Sequence, residues 1–365
     1  MTGFERRLRL AMVSYGLPGT GQKRGGIERA AHTLAQGLRL RGHEVVVFSH
    51  DPRPDGAAYE VRELPWKGFV ATWAGRRATM GYLGNVLAVL PDYGEFDAVI
   101  MHGDSLLAPL VGKPVLRVMH GSALGEARSA TSIGRRVLQM GVYLQELMTA
   151  AYQSGVVAVS ESTRRENPFV RCVIPHGADS SAFRPDPDER SPEPSVLFVG
   201  TLNGRKRGAF LLDAFLTRVR RDHPNAMLTI VGETGPEHEG VRYLKGVDDV
   251  ELAALYRQAW VYASPSTYEG FGLPYLEAMA CGTPVVASPN PGSREVLSDG
   301  ACGLMPSDGH FADTLSSLLA DRERRAALSV AGLARARELS LDRMLEGYEA
   351  LLLERASLDV RSVTS

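Results

Sequence analysis

Two runs of alternating short apolar segments and helical segments flank one proline-rich, acidic stretch near the middle of the chain. This stretch is residues 185–194, P-D-P-D-E-R-S-P-E-P, and proline is its only apolar residue. Strands that alternate with helices are typical of βαβ units and of parallel sheets. The sequence therefore predicts two α/β domains, at 1–184 and 185–340, joined by this linker. A metal site at Asp186, Asp188 and Glu189 is the alternative, but no histidine or cysteine lies nearby.

The first half opens with a strand pattern at 9–15, a glycine-rich loop at 16–26 and an amphipathic helix at 27–41. The other elements that we predict in this half are strands at 45–49, 98–102, 115–119, 156–159 and 172–174, and a helix at 135–152. In the second half we predict strands at 196–200, 227–231, 241–244, 261–263 and 285–287, with helices over most of 315–354. In sheets of this kind, ligands bind outside the carboxyl ends of the strands.

Composition limits the class of protein. A length of 365 residues suggests about two domains, and no apolar run reaches the roughly 20 residues needed to span a bilayer. The N-terminus shows no signal-peptide pattern, so we expect a cytoplasmic protein. Three scattered cysteines, Cys172, Cys281 and Cys302, form no C-x-x-C pair and are expected to be reduced thiols.

The two halves differ in charge. Residues 1–184 hold 22 Lys and Arg against 16 Asp and Glu, a net +6, whereas the whole chain has a net charge of −1. A positive first half would favour an anionic acceptor or an anionic membrane surface, and ordinary solvated arginines are the alternative. No basic run is interleaved with aromatic residues, so we expect no nucleic-acid partner.

A pair of glutamates brackets a glycine-rich loop in the second half. Residues 269–277 are E-G-F-G-L-P-Y-L-E, and they follow an apolar strand pattern. Because proline is favoured in the first turn of a helix, Glu269 should lie on a loop and Glu277 in the opening turns of a helix. The glycines would leave the backbone amides of 271–273 open to a ligand, and a helix N-terminus attracts anions. This layout suits a nucleotide-sugar, and a solvated surface loop is the alternative.

The whole run 266–288, S-T-Y-E-G-F-G-L-P-Y-L-E-A-M-A-C-G-T-P-V-V-A-S, resembles the donor-site signature of family-four retaining glycosyltransferases. Segments 157–165, 173–185 and 241–259 resemble other parts of the same family. The resemblance implies the GT-B fold, in which two Rossmann-like α/β domains face each other across a cleft. The first domain would bind the acceptor and the second the nucleotide-sugar. The terminal helix, 341–365, would cross back to the first domain.

The resemblance also implies roles for single residues. The counterpart of Glu277 binds the ribose hydroxyls, which suits a carboxylate because its ionised form is purely an acceptor. The counterpart of Glu269 lies against the donor sugar. Residues that match sugar-binding, phosphate-binding and base-binding loops are Gly270, Phe271, Gly272, Leu273, Gly246 and Val247.

A basic cluster, Arg205, Lys206 and Arg207, follows the first strand of the second half. Its position fits the basic pair that binds the donor diphosphate in the family, where fixed positive charge stabilises the leaving group. This chain departs from the family pattern, because Thr201 stands where an arginine is common. Which of the three basic residues touch phosphate stays open, and a basic surface is the alternative.

Gly25, Gly26 and His120 also belong to the predicted site. Gly25 and Gly26 open the first helix, where their amides could bind the diphosphate. A dinucleotide site with Asp51 is the alternative there, but the loop 19–25 is not G-x-G-x-x-G. His120 matches a family histidine that faces the donor sugar. His102 has a similar setting with weaker support, and His176 is expected to be structural.

These observations predict a retaining, metal-independent hexosyltransferase that uses a UDP- or GDP-type sugar and no cofactor. Retention rests on the resemblance alone, whereas metal independence rests on the absence of Asp-x-Asp at a strand end and on the cations at 205–207. The acceptor could be a small molecule, a glycan or a lipid-linked molecule, since segments 64–92 and 122–150 match no motif. The alternatives are a nucleotide-sugar epimerase of the same fold and a non-catalytic nucleotide-sugar sensor.

Overall fold

The computed structural model describes residues 6–19, 25–64, 86–103, 106–130, 132–153 and 155–363. Residues 20–24 of the glycine-rich loop and most of segment 64–92 lie outside the described residues. The chain forms two compact units. The first unit contains Met1–Arg128, Ser132–Pro175 and Met344–Ser365, and the second contains Ser129–Thr131 and His176–Arg343.

The first unit is built on a sheet of seven parallel strands. Its strands are β1 (Arg9–Val13), β2 (Glu44–Ser49), β3 (Glu60–Glu63), β4 (Ala98–His102), β5 (Val115–Met119), β6 (Val156–Ala158) and β7 (Cys172–Val173). They lie in the order β3-β2-β1-β4-β5-β6-β7. The helices along this part of the chain are α1 (Gly26–Leu40), α2 (Ala123–Ser129), α3 (Ile133–Tyr152) and α4 (Glu161–Glu166). The strand order reverses direction between β1 and β4, which is where ligands bind in such sheets.

The second unit has five parallel strands in the order β10-β9-β8-β11-β12. Its strands are β8 (Ser195–Val199), β9 (Met227–Val231), β10 (Val241–Leu244), β11 (Val261–Ser264) and β12 (Val285–Ala287). Its helices are α5 (Gly208–Ala214), α6 (Asp249–Gln258), α7 (Leu273–Ala280), α8 (Pro291–Val296), α9 (Asp308–Ala320) and α10 (Arg322–Glu338). After α5, a π-helical turn (Phe215–Val219) and an α-helical turn (Arg220–Asp222) continue the helix. Here the strand order reverses between β8 and β11.

The prediction of two parallel-sheet α/β halves is confirmed. The division between the units differs from the predicted 184/185, because it lies between Pro175 and His176. The reason is that residues after 176 pack within the second unit. The amide of Ala178 donates to Leu339 O at 2.8 Å, and the ring of Phe183 lies 6.1 Å from that of Tyr256.

The proline-rich segment 185–194 is fastened to the second unit rather than being a free linker. The indole N–H of Trp260 donates to Ser191 O at 2.7 Å, and Arg257 pairs with Glu189 at 2.8 Å. Arg190 donates to Gly282 O at 3.2 Å. The charged side chains of Glu189 and Arg190 therefore hold this segment against α6 and its neighbours.

The terminal helix, α11 (Leu341–Val363), lies mostly in the first unit. A buried carboxylate, that of Glu349, fixes it there by pairing with His43 Nε2 at 2.9 Å and with Arg41 at 3.0 Å. His43 Nδ1 accepts from the amide of Leu8, so the ring carries its hydrogen on Nε2 and donates it to Glu349. No helix among the described residues meets the length and apolarity that a membrane span requires.

Candidate active site

The loop between β11 and α7 holds Glu269 and is shaped by glycine. Gly272 has φ +103°, and a Cβ there would lie 2.3 Å from the ring of Tyr275. No other residue fits this turn, which starts α7 with Pro274 in its first turn. Within the described residues, the amides of 270–273 donate no backbone hydrogen bond. These N–H groups point to an anion site at the start of α7.

Glu269 is buried between two cations. Its Oε2 accepts from Arg205 Nη1 at 2.8 Å, and its Oε1 lies 2.6 Å from Lys206 Nζ. Burial alone would raise the pKa of Glu269, but Lys206 and Arg205 outweigh it and lower the pKa to about 2. The carboxylate therefore stays ionised at neutral pH. The cluster of Arg205, Lys206 and Glu269 lies where the strand order reverses between β8 and β11.

A second set of polar groups, which the sequence analysis missed, supports this loop from α8. The side-chain amide of Asn290 donates to Ser266 O at 3.0 Å and to the Tyr275 hydroxyl at 3.1 Å. The amide of Gly292 donates to Glu269 O at 3.1 Å. A Cβ on Gly292 would lie 2.4 Å from Phe271 O, so only glycine permits this approach. The sequence signal was N-P-G-S at 290–293, a helix start with its own capping residue.

Glu277 lies on the second turn of α7 with only 3% of its surface exposed. The Tyr256 hydroxyl donates to its Oε2 at 3.1 Å. Tyr262, buried beneath, contacts the rings of Tyr256 and Tyr275 at 5.5 and 6.3 Å. Burial is the largest cause that raises the pKa of Tyr262, and the charges of Glu269 and Glu277 raise this pKa further. The charges of Glu269 and Glu277 therefore both affect one cluster of tyrosine rings, which contains Tyr256, Tyr262 and Tyr275.

Three other predicted residues lie before α6 or beside the loop between β11 and α7. Gly246 adopts φ +66° in the loop before α6, next to Val247, and Asp248 caps that helix by accepting from the amide of Glu251 at 2.8 Å. His176 is buried and packs edge-on against Phe271 at 5.3 Å. Burial lowers the pKa of His176 to about 4, so the ring is neutral at pH 7.

Arg207 is engaged elsewhere. Its guanidinium forms a bidentate pair with Asp308 at the start of α9, with distances of 3.0 and 2.7 Å, and it lies 4.3 Å above the Phe210 ring. The hydrogen bonds from Arg207 lower the pKa of Asp308. The residue has φ +54°, an unusual conformation for a residue other than glycine. The structure thus brings Arg205 and Lys206 to Glu269, but turns Arg207 to Asp308.

We expect Arg207→Ala to lower the rate of transfer by about tenfold, because the loop that positions Arg205 and Lys206 loses its anchor. Asp308→Ala should have the same effect, and the double variant should be no slower than either single one, since both remove one interaction. Steady-state kinetics on the four proteins tests this. If Arg207→Ala weakens donor binding and Asp308→Ala does not, Arg207 contacts the phosphate directly.

In the first unit, two histidines meet at the carboxyl edge of the sheet. His102 ends β4 and His120 follows β5, and His102 Nδ1 lies 2.8 Å from His120 Nε2. Their rings stack with centroids 5.0 Å apart. This bond requires one facing nitrogen to hold a hydrogen and the other to accept it, so the two rings cannot both be protonated while it lasts.

The first helix also begins at this edge of the sheet. Gly25 caps α1 and Gly26 is its first residue, and the Glu28 carboxylate folds back over Gly25. Asp51, the candidate for a dinucleotide site, accepts from the amide of Leu17 at 3.0 Å, and this fixes the start of the glycine-rich loop. Within the described residues, no three His, Cys, Asp or Glu side chains come together in a way that could hold a metal ion.

Comparisons with known proteins agree with this architecture. A family model for glycosyl transferases group 1 matches residues 179–335, and one for glycosyltransferase family 4 matches residues 24–181. The phosphatidyl-myo-inositol mannosyltransferase of Mycobacterium tuberculosis is 32% identical over 348 residues, covering 85% of this chain and 89% of that protein.

Solved structures share the fold. Sucrose-phosphate synthase from Thermosynechococcus elongatus superposes with a TM-score of 0.71 at 22% identity, covering 98% of this chain and 100% of that one. Anabaena HepE, solved in complex with UDP-glucose, gives a TM-score of 0.71 at 17% identity, covering 94% and 99%. The predicted family and the GT-B fold are confirmed. The chain belongs to glycosyltransferase family 4, and it is a glycosyltransferase of the GT-B fold.

Proposed function

We propose that this protein moves a sugar from a nucleoside diphosphate to an acceptor hydroxyl, with retention of anomeric configuration and without a metal ion. The observation that supports the proposal most directly is the cluster of Arg205, Lys206 and Glu269 beside the amides of 270–273. Two cations and one carboxylate leave a net positive charge where a diphosphate would lie. Such fixed charge stabilises the leaving group as the glycosidic bond breaks.

The surrounding groups would each bind a different part of the donor. Glu277 would accept from the ribose hydroxyls, and Tyr256 holds its carboxylate at 3.1 Å. The loop at Gly246 and Val247 would hold the base. The amides of 270–273 would bind the sugar hydroxyls and phosphate oxygens, and Glu269 would orient the sugar. Gly25, Gly26 and His120 are proposed to bind the donor from the first unit, and this assignment rests on the family resemblance.

The identity of the donor and the acceptor is proposed from relatives. The relative from Mycobacterium tuberculosis is named as a phosphatidyl-myo-inositol mannosyltransferase, and a relative from Mycolicibacterium smegmatis as a GDP-mannose-dependent phosphatidylinositol monomannoside mannosyltransferase. GDP-mannose and an inositol-bearing acceptor are therefore the first pair to test. Release of GDP, measured with and without the acceptor, separates the possible functions. A transferase releases GDP faster with the acceptor, whereas a sensor releases none and an epimerase converts the sugar without releasing GDP. A parallel screen with UDP-sugars covers the other donor class.

Glu277→Gln should weaken donor binding by roughly 10- to 100-fold, because each hydrogen bond to a charged acceptor contributes about 1.5–3 kcal/mol. Calorimetry with the nucleoside diphosphate alone measures this loss. Tyr256→Phe is the matched control, since it removes the hydroxyl that orients Glu277 but keeps the charge, and its effect should be smaller. Unchanged affinity in Glu277→Gln would place the ribose elsewhere.

A further inference from the structure

The two histidines at the carboxyl edge of the first sheet differ in how they are held. His102 is the last residue of β4 and is 4% exposed, whereas His120 follows β5 and is half-buried. His102 Nδ1 lies 2.8 Å from His120 Nε2, and the two ring planes are inclined by 23°. The buried ring of His102 therefore contacts the more accessible ring of His120 through one defined nitrogen.

The main chain around His102 is fixed from both sides of β4. This strand pairs with β1 through residues 98–101 and with β5 up to His102, which lies opposite Val118. Directly after His102, Gly103 adopts φ +135°, and its carbonyl accepts from Nε of the buried Arg117 at 3.2 Å. A side chain on a central strand is positioned more precisely than one on a loop, so His102 offers His120 a rigid partner.

His120 lies on the short connection between β5 and α2. Met119 before it is the last residue of β5. After it, the amide of Ala123 at the start of α2 donates to the buried carboxylate of Glu146 at 3.1 Å. Between these fixed ends, an imidazole ring can adopt several rotamers. The hydrogen bond to His102 restricts the His120 ring to one of them.

The histidine pair is not needed to join the two strands. β4 and β5 are already paired along Val99–His102. Two apolar side chains could fill the same space without the cost of burying polar nitrogens. The pair lies instead at the carboxyl end of β4, beside the point where the strand order reverses between β1 and β4. Ligands bind at such points, so the position favours a role in a site.

We propose that His102 is a positioning residue, which holds the His120 ring in one tautomer and one orientation for the transfer reaction. The hydrogen bond can run in two directions, and each direction assigns one hydrogen position to a neutral His120. If His102 donates, His120 carries its hydrogen on Nδ1. If His102 accepts, His120 carries it on Nε2. Either way, the other nitrogen of His120 has a fixed character towards a ligand. The inference rests on the proposed role of His120 in donor binding.

Nitrogen NMR of the free protein tests the tautomer without any substrate. In protein with isotope-labelled histidine, the shifts of the two ring nitrogens show which one carries the hydrogen, and the signal missing from His120→Asn identifies His120. At about pH 8, where histidine is neutral, we expect one tautomer in wild type. His102→Phe, which keeps a ring but has no nitrogen, should give a mixture of two. A mixture in wild type, or one unchanged tautomer in His102→Phe, would overturn the proposal.

Steady-state kinetics shows whether this restraint matters for transfer. His102→Phe should slow turnover by about tenfold, because a group that is no longer held in place loses part of its effect. His102→Asn should recover most of the loss, since its amide reaches the position of a histidine Nδ1, whereas the longer His102→Gln should not. The opposite order of recovery would overturn the proposal.

A double variant tests whether His102 acts only through its partner. His102→Phe/His120→Asn should be no slower than His120→Asn alone, because both substitutions remove one interaction. A double variant that is clearly slower would overturn the positioning role, since His102 would then contribute to the reaction by itself.

His32→Phe is the matched control, because it removes another histidine Nδ1 contact in the same unit, at 2.7 Å from the Tyr59 hydroxyl. It should keep near-full turnover, and thermal midpoints show whether each variant is folded. If His120→Asn is slow while folded His102→Phe keeps full turnover, the positioning role is overturned and the proposed function stands. If His120→Asn itself keeps full turnover, the positioning role and the proposed place of His120 in the donor site are both overturned.

Discussion

Lys206→Ala should lower the rate of transfer by about 100- to 1,000-fold, the usual cost of removing one group that faces developing negative charge. Lys206 lies at the reversal point between β8 and β11 with its side chain 18% exposed and 2.6 Å from Glu269. Glu269 therefore holds the cation in place, so no reorganisation would be needed as a diphosphate leaves. The loss should appear in kcat more than in donor KM.

Arg205→Ala should act in the same direction, with an added effect on the loop. Arg205 donates to Tyr268 O at 2.7 Å as well as to Glu269, so its loss frees the segment that leads to the glycines. Arg322→Ala, on an exposed turn of α10 in the same unit, controls for the general effect of removing an arginine. If Lys206→Ala and Arg205→Ala both keep near-full turnover, the cluster does not face the leaving group.

Glu269→Gln should nearly abolish transfer and also destabilise the second unit. The substitution leaves two adjacent cations without their carboxylate, and breaking a buried ion pair costs about 3–5 kcal/mol. Chemical denaturation monitored by circular dichroism measures the change in free energy of unfolding. Glu295→Gln is a suitable control on α8, since Glu295 is half-buried and lies outside the proposed site. A fully stable, fully active Glu269→Gln protein would contradict the role of this carboxylate.

The same carboxylate gives stability a defined dependence on pH. Its pKa is lowered from 4.5 to about 2 in the folded protein, so its contribution is fully present above pH 4.5 and is lost as the pH falls towards 2. A shift of this size corresponds to about 3 kcal/mol. Glu269→Gln should therefore lose less stability than wild type between pH 5 and 2.

Most of the fold could be predicted because each strand is a short apolar run between glycines or polar turns. The exception in the first sheet is β3, Glu60–Glu63, whose sequence E-V-R-E has two glutamates and an arginine. It pairs with β2 on one side only, at the edge of the sheet, where charged side chains are tolerated. An edge strand of this kind gives no hydrophobic signal.

The residues of the proposed site could be named from the sequence, but their mutual contacts could not. Glu269, Arg205 and Lys206 were each expected near the donor, yet their mutual pairing joins positions 64 residues apart and depends on the order of β8 and β11. Asn290 and Gly292 could not be assigned to the site from the sequence, because the capping pattern of a helix N-terminus does not show which element the helix packs against. The Arg207–Asp308 pair could not be predicted from the sequence either, since Asp308 lies 101 residues further along the chain.

The stereochemistry of a reaction run in excess EDTA tests the central proposal most directly. Product made from GDP-mannose, or from whichever donor the screen selects, is examined by NMR at its anomeric proton. Retained α-configuration at undiminished rate is the predicted result, because Arg205, Lys206 and the amides of 270–273 would neutralise the diphosphate without a metal. An inverted product, or activity that vanishes in EDTA and returns with magnesium, would contradict the account.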